Sequence, residues 1–418
     1  MGAGRGRAPV RPGAKQPAQD DELDMKRWLH LATASAVAFT GGFGSAAQAQ
    51  RRADDPGEPT PEVFVDLAAA TGLEFSHFNG MSGELYFVEM NGAGAALFDY
   101  DRDNDLDLYL VQGTMLGDKT ISQATLAPLA PQPLRDRLYR NELVPSGKLR
   151  FTDVTDESGI DARGYGMGVA TGDVDNDGWT DLYVTNFGPN QLWRNNGDGT
   201  FRDITAAAGV DDDRWSVPAT FLDFDRDGWL DLFVGNYVDF TVTGHQTCLT
   251  AGGAPDYCGP MAYHSEPDRL FRNLGGGASG GVRFEDHSAR AGLRSMPGAT
   301  LGALAGDLTG DGWPDIYVAN DQMRNFMWVN VAAADGGRGF REEALMAGTA
   351  VNEEGQPEGS MGVDAGDIDN DSDEDLFMTH ISRETNTLYL NDGSGFFADS
   401  TIAAELGPAS WEYTGFGT

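Results

Sequence analysis

Five stretches of this chain repeat one acidic pattern: DYDRDNDLDLYL from Asp99, DVDNDGWTDLYV from Asp173, DFDRDGWLDLFV from Asp223, DLTGDGWPDIYV from Asp307 and DIDNDSDEDLFM from Asp367. Each places oxygen-bearing side chains at positions 1, 3, 5 and 9, a turn residue at 6 and an apolar run behind them. The sets are Asp99, Asp101, Asp103 and Asp107; Asp173, Asp175, Asp177 and Asp181; Asp223, Asp225, Asp227 and Asp231; Asp307, Thr309, Asp311 and Asp315; and Asp367, Asp369, Asp371 and Asp375. Carboxylates so crowded repel one another unless a cation lies among them. Hard oxygen ligands at alternate positions are what Ca2+ takes. Position 7 is Asp105, Trp179, Trp229, Trp313 or Asp373, a variety that suits a ligand offered only by the backbone carbonyl. The expectation is one calcium ion per loop, five in all. Thr309 removes one formal charge from the fourth set, which is expected to bind weakest.

An EF-hand opens similarly but needs a bidentate Glu at position 12 and helices on both sides. Position 12 here is Leu110, Val184, Val234, Val318 or Met378, and the flanks are β-prone. Position 9 must therefore close the cage. Gly178, Gly228 and Gly312 at position 6 provide a turn at positive φ, with Asn104 and Ser372 in the outer copies.

What must hold these loops is a larger repeat. A small-residue stretch precedes each loop, with Gly94, Gly168, Gly302 and Gly362 five residues before position 1 and Pro218 in the third copy. A strand ending in Asn follows: RLYRN to Asn141, QLWRN to Asn195, RLFRN to Asn273, FMWVN to Asn330 and TLYLN to Asn391. A fourth element closes the unit, as in RFTDVTDESGI and TFRDITAAAGV. Four short strands repeated at 50 to 84 residues predict an all-β fold, a β-propeller of four-stranded blades with calcium loops. The GGxGxD repeat of calcium-binding solenoids is absent. The apolar strands after the loops are expected to be the inner ones. Residues 63–73, VFVDLAAATGL, match a fourth element with no first three before it, and Gly417 matches the glycine that opens a unit. The sequence thus reads as an incomplete propeller over residues 61–418.

The 418 residues carry a formal net charge of −36, which repels nucleic acid and anionic membranes. The 56 glycines suit turns and short strands. Residues 25–49 read as a signal peptide, with Lys26 and Arg27 before a short apolar run and a small-residue cleavage site at Ala47-Gln48-Ala49. Residues 1–24 read as a disordered or mis-started extension and 50–60 as a linker, placing the mature chain outside the cytoplasm with no stable membrane span. Cys248 and Cys258 are expected to form a disulfide there. A zinc site with His245 and His264 is the alternative, without a recognised zinc spacing.

These residues resemble the FG-GAP/VCBS repeats that also build integrin α-subunit heads. FDYDRDNDLDLYL, NYVDF followed by YCGP, DRLFRN and F-x-D-V/I-T-x-x-x-G resemble more closely the bacterial group related to cartilage acidic protein, with its C-terminal ASPIC/UnbV segment. The resemblance implies a seven-bladed propeller whose calcium ligands are Asp99, Asp101, Asp103, Asp107 and their counterparts. It carries over no catalytic residue. The expected role is a secreted, periplasmic or surface module that binds an extracellular protein or glycan. A calcium-dependent polysaccharide lyase or hydrolase is the alternative, with Tyr263, His264 and His380 as its loosely suggestive groups. An assembly component is a third. Two insertions, 111–137 and 240–268, are candidate contact loops, the second equally a packed plug.

Overall fold

The computed structural model describes residues 64–276 and 281–417, and the N-terminal extension, signal peptide and linker read from the sequence lie outside them. Five antiparallel four-stranded sheets follow one another. They comprise Ala95–Phe98, Asp107–Leu110, Arg137–Asn141 and Phe151–Asp153; Gly166–Gly172, Asp181–Asn186, Gln191–Asn195 and Phe201–Asp203; Ser216–Leu222, Asp231–Asn236, Arg269–Asn273 and Phe284–Asp286; Thr300–Gly306, Asp315–Asn320, Phe326–Ala332 and Arg338–Glu342; and Ser360–Gly366, Asp375–His380, Thr387–Asn391 and Phe397–Asp399. The strands of each sheet pair in chain order, and the first strands of consecutive sheets lie side by side. This is a propeller arrangement of five described blades; seven was the number implied by resemblance.

The sequence placed the apolar strands innermost, and the structure corrects this. The small-residue first strands line the axis, around a cavity of about 570 Å3 bounded by Gly94, Gly168, Val217, Gly302 and Gly362. Backbone crowding explains the glycines. A Cβ on Gly168 would stand 2.3 Å from the Val217 carbonyl oxygen, and one on Gly302 would stand 2.2 Å from that of Met361. A Cβ on Gly362 would stand 2.9 Å from the Phe416 oxygen, so residues 416–417 pack on the fifth blade as each first strand packs on its predecessor. The apolar strands are second in each sheet, with a blade on both faces. Hence Leu182, Tyr183 and Val184 are all fully buried, as are Leu232, Phe233 and Val234. Burying a side chain of this size contributes roughly 1.5–3 kcal/mol, and these triplets form the inter-blade cores.

The fourth element is a three-residue strand plus one helical turn in the second copy, Phe201–Asp203 and Thr205–Ala208, ended by Gly209 at φ 77°. A Cβ on that glycine would face the Phe284 oxygen of the next blade at 3.4 Å. Ala68–Thr71 and Gly72 repeat this turn against the Phe151 oxygen of the first blade, at 3.3 Å. Residues 68–72 thus match the end of a fourth element, as expected, though that end is a helical turn rather than a strand. The expected strand does not form before it, since residues 64–67 are irregular.

Candidate metal centre

Each acidic loop joins the first strand of a blade to the second, so all five lie at one end of the propeller. Position 1 wraps the loop by accepting backbone N–H groups. In the second copy Asp173 Oδ1 takes Asp177 N at 3.1 Å and Oδ2 takes Gly178 N at 2.8 Å. Position 5 accepts from position 7, as in Trp229 N to Asp227 at 3.1 Å. Position 6 has the expected positive φ in every copy: 71° at Asn104, 87° at Gly178, 88° at Gly228, 84° at Gly312 and 80° at Ser372. Position 4 has it too, which the sequence reading missed: Arg102 62°, Asn176 56°, Arg226 58°, Gly310 67° and Asn370 65°. Asn and Gly there were a signal, obscured by the two arginines.

The wrapping converges carboxylates. Ligand-capable atoms of Asp99, Asp101 and Asp107 lie within 4.8 Å of one another, as do those of Asp173, Asp175 and Asp181, and of Asp223, Asp225 and Asp231. Two full charges at that separation repel by about 3 kcal/mol at an effective dielectric near 20. In each of these three loops the position-3 Oδ1, of Asp101, Asp175 or Asp225, is buried without a hydrogen-bond partner, as are Asp103 Oδ2 and Asp105 Oδ1 in the first. A buried acceptor left unmade is expensive. A hard cation at the convergence point would satisfy these atoms and cancel the repulsion, so the donor set of loops 1 to 3 fits Ca2+.

Position 9 has a second task that the sequence did not reveal. Asp231 Oδ2 accepts Phe224 N at 3.1 Å and Oδ1 accepts Asn273 N at 2.8 Å. Asp107, Asp181 and Asp375 make the same two bonds, clamping loop to third strand. Burial pushes Asp107 and Asp181 up to about 7 and Asp231 up to about 8.

The Asn ending the third strand then ties blades together. Asn273 Nδ2 donates to Leu230 O in its own loop and to Val174 O in the preceding one. Asn195, Asn330 and Asn391 reach the Tyr100, Phe224 and Leu308 oxygens likewise. Position 4 also crosses blades: the Arg102 guanidinium lies 5.2 Å from the Trp179 ring centroid, Arg226 lies 4.8 Å from that of Trp313, and Asn176 donates to Gly228 O at 2.9 Å. Arg194 and Arg272, just before the strand-ending Asn, take the outer oxygens at positions 3 and 5: Asp175 and Asp177, and Asp225 and Asp227. That leaves the inner oxygens for an ion. Arg140 in the first blade turns to Glu142 instead.

Loops 4 and 5 depart from the pattern. Among the described residues, Asp307, Asp311 and Asp315 do not converge as the first three sets do. The Thr309 hydroxyl donates to Asp315 Oδ2 at 3.0 Å, filling with a proton donor the space where an ion would sit. In loop 5 the converging atoms belong to Asp367, Asp369 and Asp371, all exposed, while Asp375 serves the clamp. Position 7 also differs from the backbone-only reading in the first copy, where the Asp105 side chain accepts Val144 N at 2.7 Å.

The opposite end of the propeller is sealed by aromatics. Cys248 and Cys258 are disulfide-bonded, as expected, which excludes the zinc alternative. The ends of the insertion carrying them pack into this cluster: Tyr263 stacks on Phe87 with centroids 5.7 Å apart and Phe240 meets Trp215 at 5.8 Å, whereas the disulfide hairpin Cys248–Leu249 and Pro255–Asp256 is largely exposed. His245 packs against Tyr86 at 5.1 Å. The lyase candidates are not brought together. His264 points outward, paired with Asp239 at 2.9 Å. His380 is 1% exposed and bonded to Ser360, in the place held by Asn186, Asn236 and Asn320 in other blades. Burial lowers it to about 4. The insertion at 111–137 is mostly irregular, with one turn at Ile121–Gln123.

Residues 173–234 and 307–378 match the FG-GAP-like repeat model. The chain carries FG-GAP-like repeats. No curated protein matches it. Among solved structures it is similar to an Agrocybe aegerita lectin that recognises non-reducing terminal N-acetylglucosamine, at 18% identity and TM-score 0.39, covering 76% of this chain and 68% of the lectin. It is also similar to the V. cholerae biofilm matrix protein Bap1, at 12% and 0.33, covering 73% of this chain and 38% of Bap1. A Photorhabdus luminescens Tc holotoxin pore chain gives 14% and 0.32, covering 74% and 12%. The chain thus spans well under two thirds of the last two. No helix of the described residues is long and apolar enough to cross a membrane.

Proposed function

We propose that this chain is a calcium-stabilised FG-GAP-like propeller acting outside the cytoplasm as a non-catalytic module that binds a protein or glycan, in the group related to cartilage acidic protein. The observation that carries the calcium reading is the partnerless, buried inner oxygen of Asp101, Asp175 and Asp225. Loops 1 to 3 are the strongest sites, loop 5 offers an exposed 1/3/5 set, and loop 4 is the weakest. The ions hold shape: each neutralises a loop whose backbone is bonded to the next blade, so metal binding is folding stability. Export is supported by the signal-like 25–49 segment and by the disulfide.

A binding role is supported by what occupies the acidic side chains. The loop carboxylates are engaged in wrapping, clamping and ion ligation, and the histidines weighed for catalysis are outward or buried. A titration of the full chain with Ca2+ by calorimetry, beside a thermal melt with and without chelator, tests the reading. Three or more ions and a steep loss of melting temperature in chelator are expected. An unchanged melt would overturn it, and release of unsaturated product from a uronate polysaccharide would overturn the non-catalytic part.

A further inference from the structure

Between blades three and four lies a cavity of about 210 Å3 lined by Arg272, Arg290, Arg338 and His287, with Asp225, Glu285 and Asp335. In a chain of 29 basic and 65 acidic residues, three arginines at one small pocket call for a cause. The repeats supply an internal control. His287 follows the Asp of the fourth strand, where the first two blades carry Val154 and Ile204 in the same register, each backbone N–H bonded to the third strand. Arg290 corresponds to Glu157, Ala207 and Met346, and Arg338 to Leu149, Gly199, Val282 and Gly395. The blade therefore folds without these side chains, and the fold does not demand them.

Each guanidinium is held by Nε and Nη2. Arg272 is anchored on Asp225 and Asp227, Arg290 on Asp335, and Arg338 on the side chain and carbonyl of Asn330. Arg338 is also stacked 3.9 Å from the Trp313 centroid. No described residue accepts from Nη1 of any of the three. His287 is fixed against Phe224, with centroids 5.5 Å apart. Anchored arginines with an open N–H face lose little freedom on meeting an anion, and charge-assisted bonds to oxyanions are the strong ones.

We propose that this pocket binds an oxyanion group, a carboxylate or a sulfate, carried by a small or saccharide ligand. Arg290 and His287 contact the group, while Arg272 and Arg338 frame it. This deepens the binding role proposed above and rests on it for biological meaning. A calcium ion ligated by Asp225 would draw on that carboxylate's charge and leave Arg272 freer for the ligand.

The test is calorimetric titration of the full chain with sodium sulfate and with sodium glucuronate, in millimolar calcium, against chloride at matched ionic strength. Saturable binding of either probe is expected, and which of them binds tells a tetrahedral from a planar group. Arg290→Ala alters a side chain 62% exposed, and it should weaken binding roughly tenfold, the equivalent of one charge-assisted hydrogen bond. His287→Ile installs the aliphatic type found in the first two blades and should weaken it further. Arg202→Ala, on the second blade, should change nothing. Absence of saturable binding by both probes overturns the proposal, as does wild-type affinity in the Arg290→Ala/His287→Ile variant. A melt insensitive to chelator in the same samples would remove the calcium reading and leave the pocket standing.

Discussion

The third and fourth acidic loops are neighbours in the propeller, built on one backbone plan, and they separate two functions that the sequence writes as one. Both clamp loop to third strand through position 9: Asp231 accepts Phe224 N and Asn273 N, and Asp315 accepts Thr309 N and Asn330 N. Both wrap position 1 onto the position 6 N–H. Only the third loop converges three carboxylates and leaves an inner oxygen without a partner. Clamping is thus a property of position 9, and caging an ion is a property of position 3, where Asp225 faces Thr309. A loop of this family can keep its structural half after losing its metal half.

The largest effect should come from breaking the half they share. Asp231→Ala and Asp315→Ala each strip two buried backbone N–H groups of their acceptor, at about 1–3 kcal/mol per group. Urea unfolding should show similarly large losses for both, and the loss at Asp315 should not depend on calcium. A mild Asp315→Ala would mean that the clamp matters only as ion ligation.

Next come the changes that should distinguish the two loops. A site held at a hundredfold excess of ligand over its dissociation constant contributes about 2.7 kcal/mol. Asp225→Ala should forfeit most of one such contribution, read as a smaller calcium-induced rise in melting temperature. Thr309→Ala should leave that rise nearly intact, whereas Thr309→Asp should enlarge it by making the fourth loop converge as well. Equal responses from Asp225→Ala and Thr309→Ala would erase the distinction.

Much of this was legible from residue types, because an aspartate at alternate positions, a glycine at 6 and a β-prone run behind them each have one dominant physical use. The propeller followed from the spacing, and the αL turns at Asn104 and Ser372 from the need for positive φ. What stayed hidden were contacts between units far apart in sequence. Asn195 reaching Tyr100 O spans 95 residues, and Arg226 stacking on Trp313 joins two loops that each look complete. The same limit misplaced the apolar strands. Hydrophobicity reports burial but not radius, and the axis belongs to the strands whose glycines allow close backbone approach. The cysteine insertion allowed two readings, contact surface or plug, because Tyr257, Tyr263 and His264 suit either until their neighbours are known, and the structure divides them: Tyr263 packs on Phe87 while His264 is exposed.

The pH dependence sharpens the comparison further. Asp231 stands at about 8 and Asp315 at about 6, both raised from 3.8 by burial. A carboxyl raised in the folded state binds its proton more tightly there than in the unfolded chain. The folded state is therefore favoured at low pH and loses that advantage as pH rises through the folded value. Without calcium, melting temperature should fall between about pH 4 and 8, with Asp107, Asp181 and Asp231 contributing up to the top of that window. With calcium the fall should shrink, because the ion favours the ionised form. Asp231→Asn should flatten the upper part of the chelated curve and Asp315→Asn only the part below about 6. A chelated protein whose stability climbs over this window would contradict the burial argument.

A smaller effect should separate the inter-blade tie. Asn330 Nδ2 spans Pro314 O and Phe224 O, whereas Asn141 Nδ2 donates only to Leu106 O in its own blade. Asn330→Ala should cost about 2 kcal/mol and Asn141→Ala about half that, measured by denaturant unfolding. Equal losses would assign the whole effect to the bond within the blade.

The smallest expected effect concerns Arg272, and it asks whether an ion and an arginine do interchangeable work. Arg272 holds the outer oxygens of Asp225 and Asp227 at 2.6 and 2.7 Å, with 29% of its side chain exposed. The fourth blade carries Val329 at the same place, beside a loop with no carboxylate at position 3. Partly exposed pairs of this kind contribute about 1 kcal/mol or less. In saturating calcium the ion already screens the two aspartates, so Arg272→Leu should barely shift the melt. In chelator their repulsion falls on the arginine alone, and the same substitution should cost appreciably more. The dependence should vanish in an Asp225→Ala background, since the arginine would then have no crowded charge to relieve. If Arg272→Leu instead costs the same with and without calcium, the arginine is an ordinary surface pair and the loop's order without metal comes from its backbone turns.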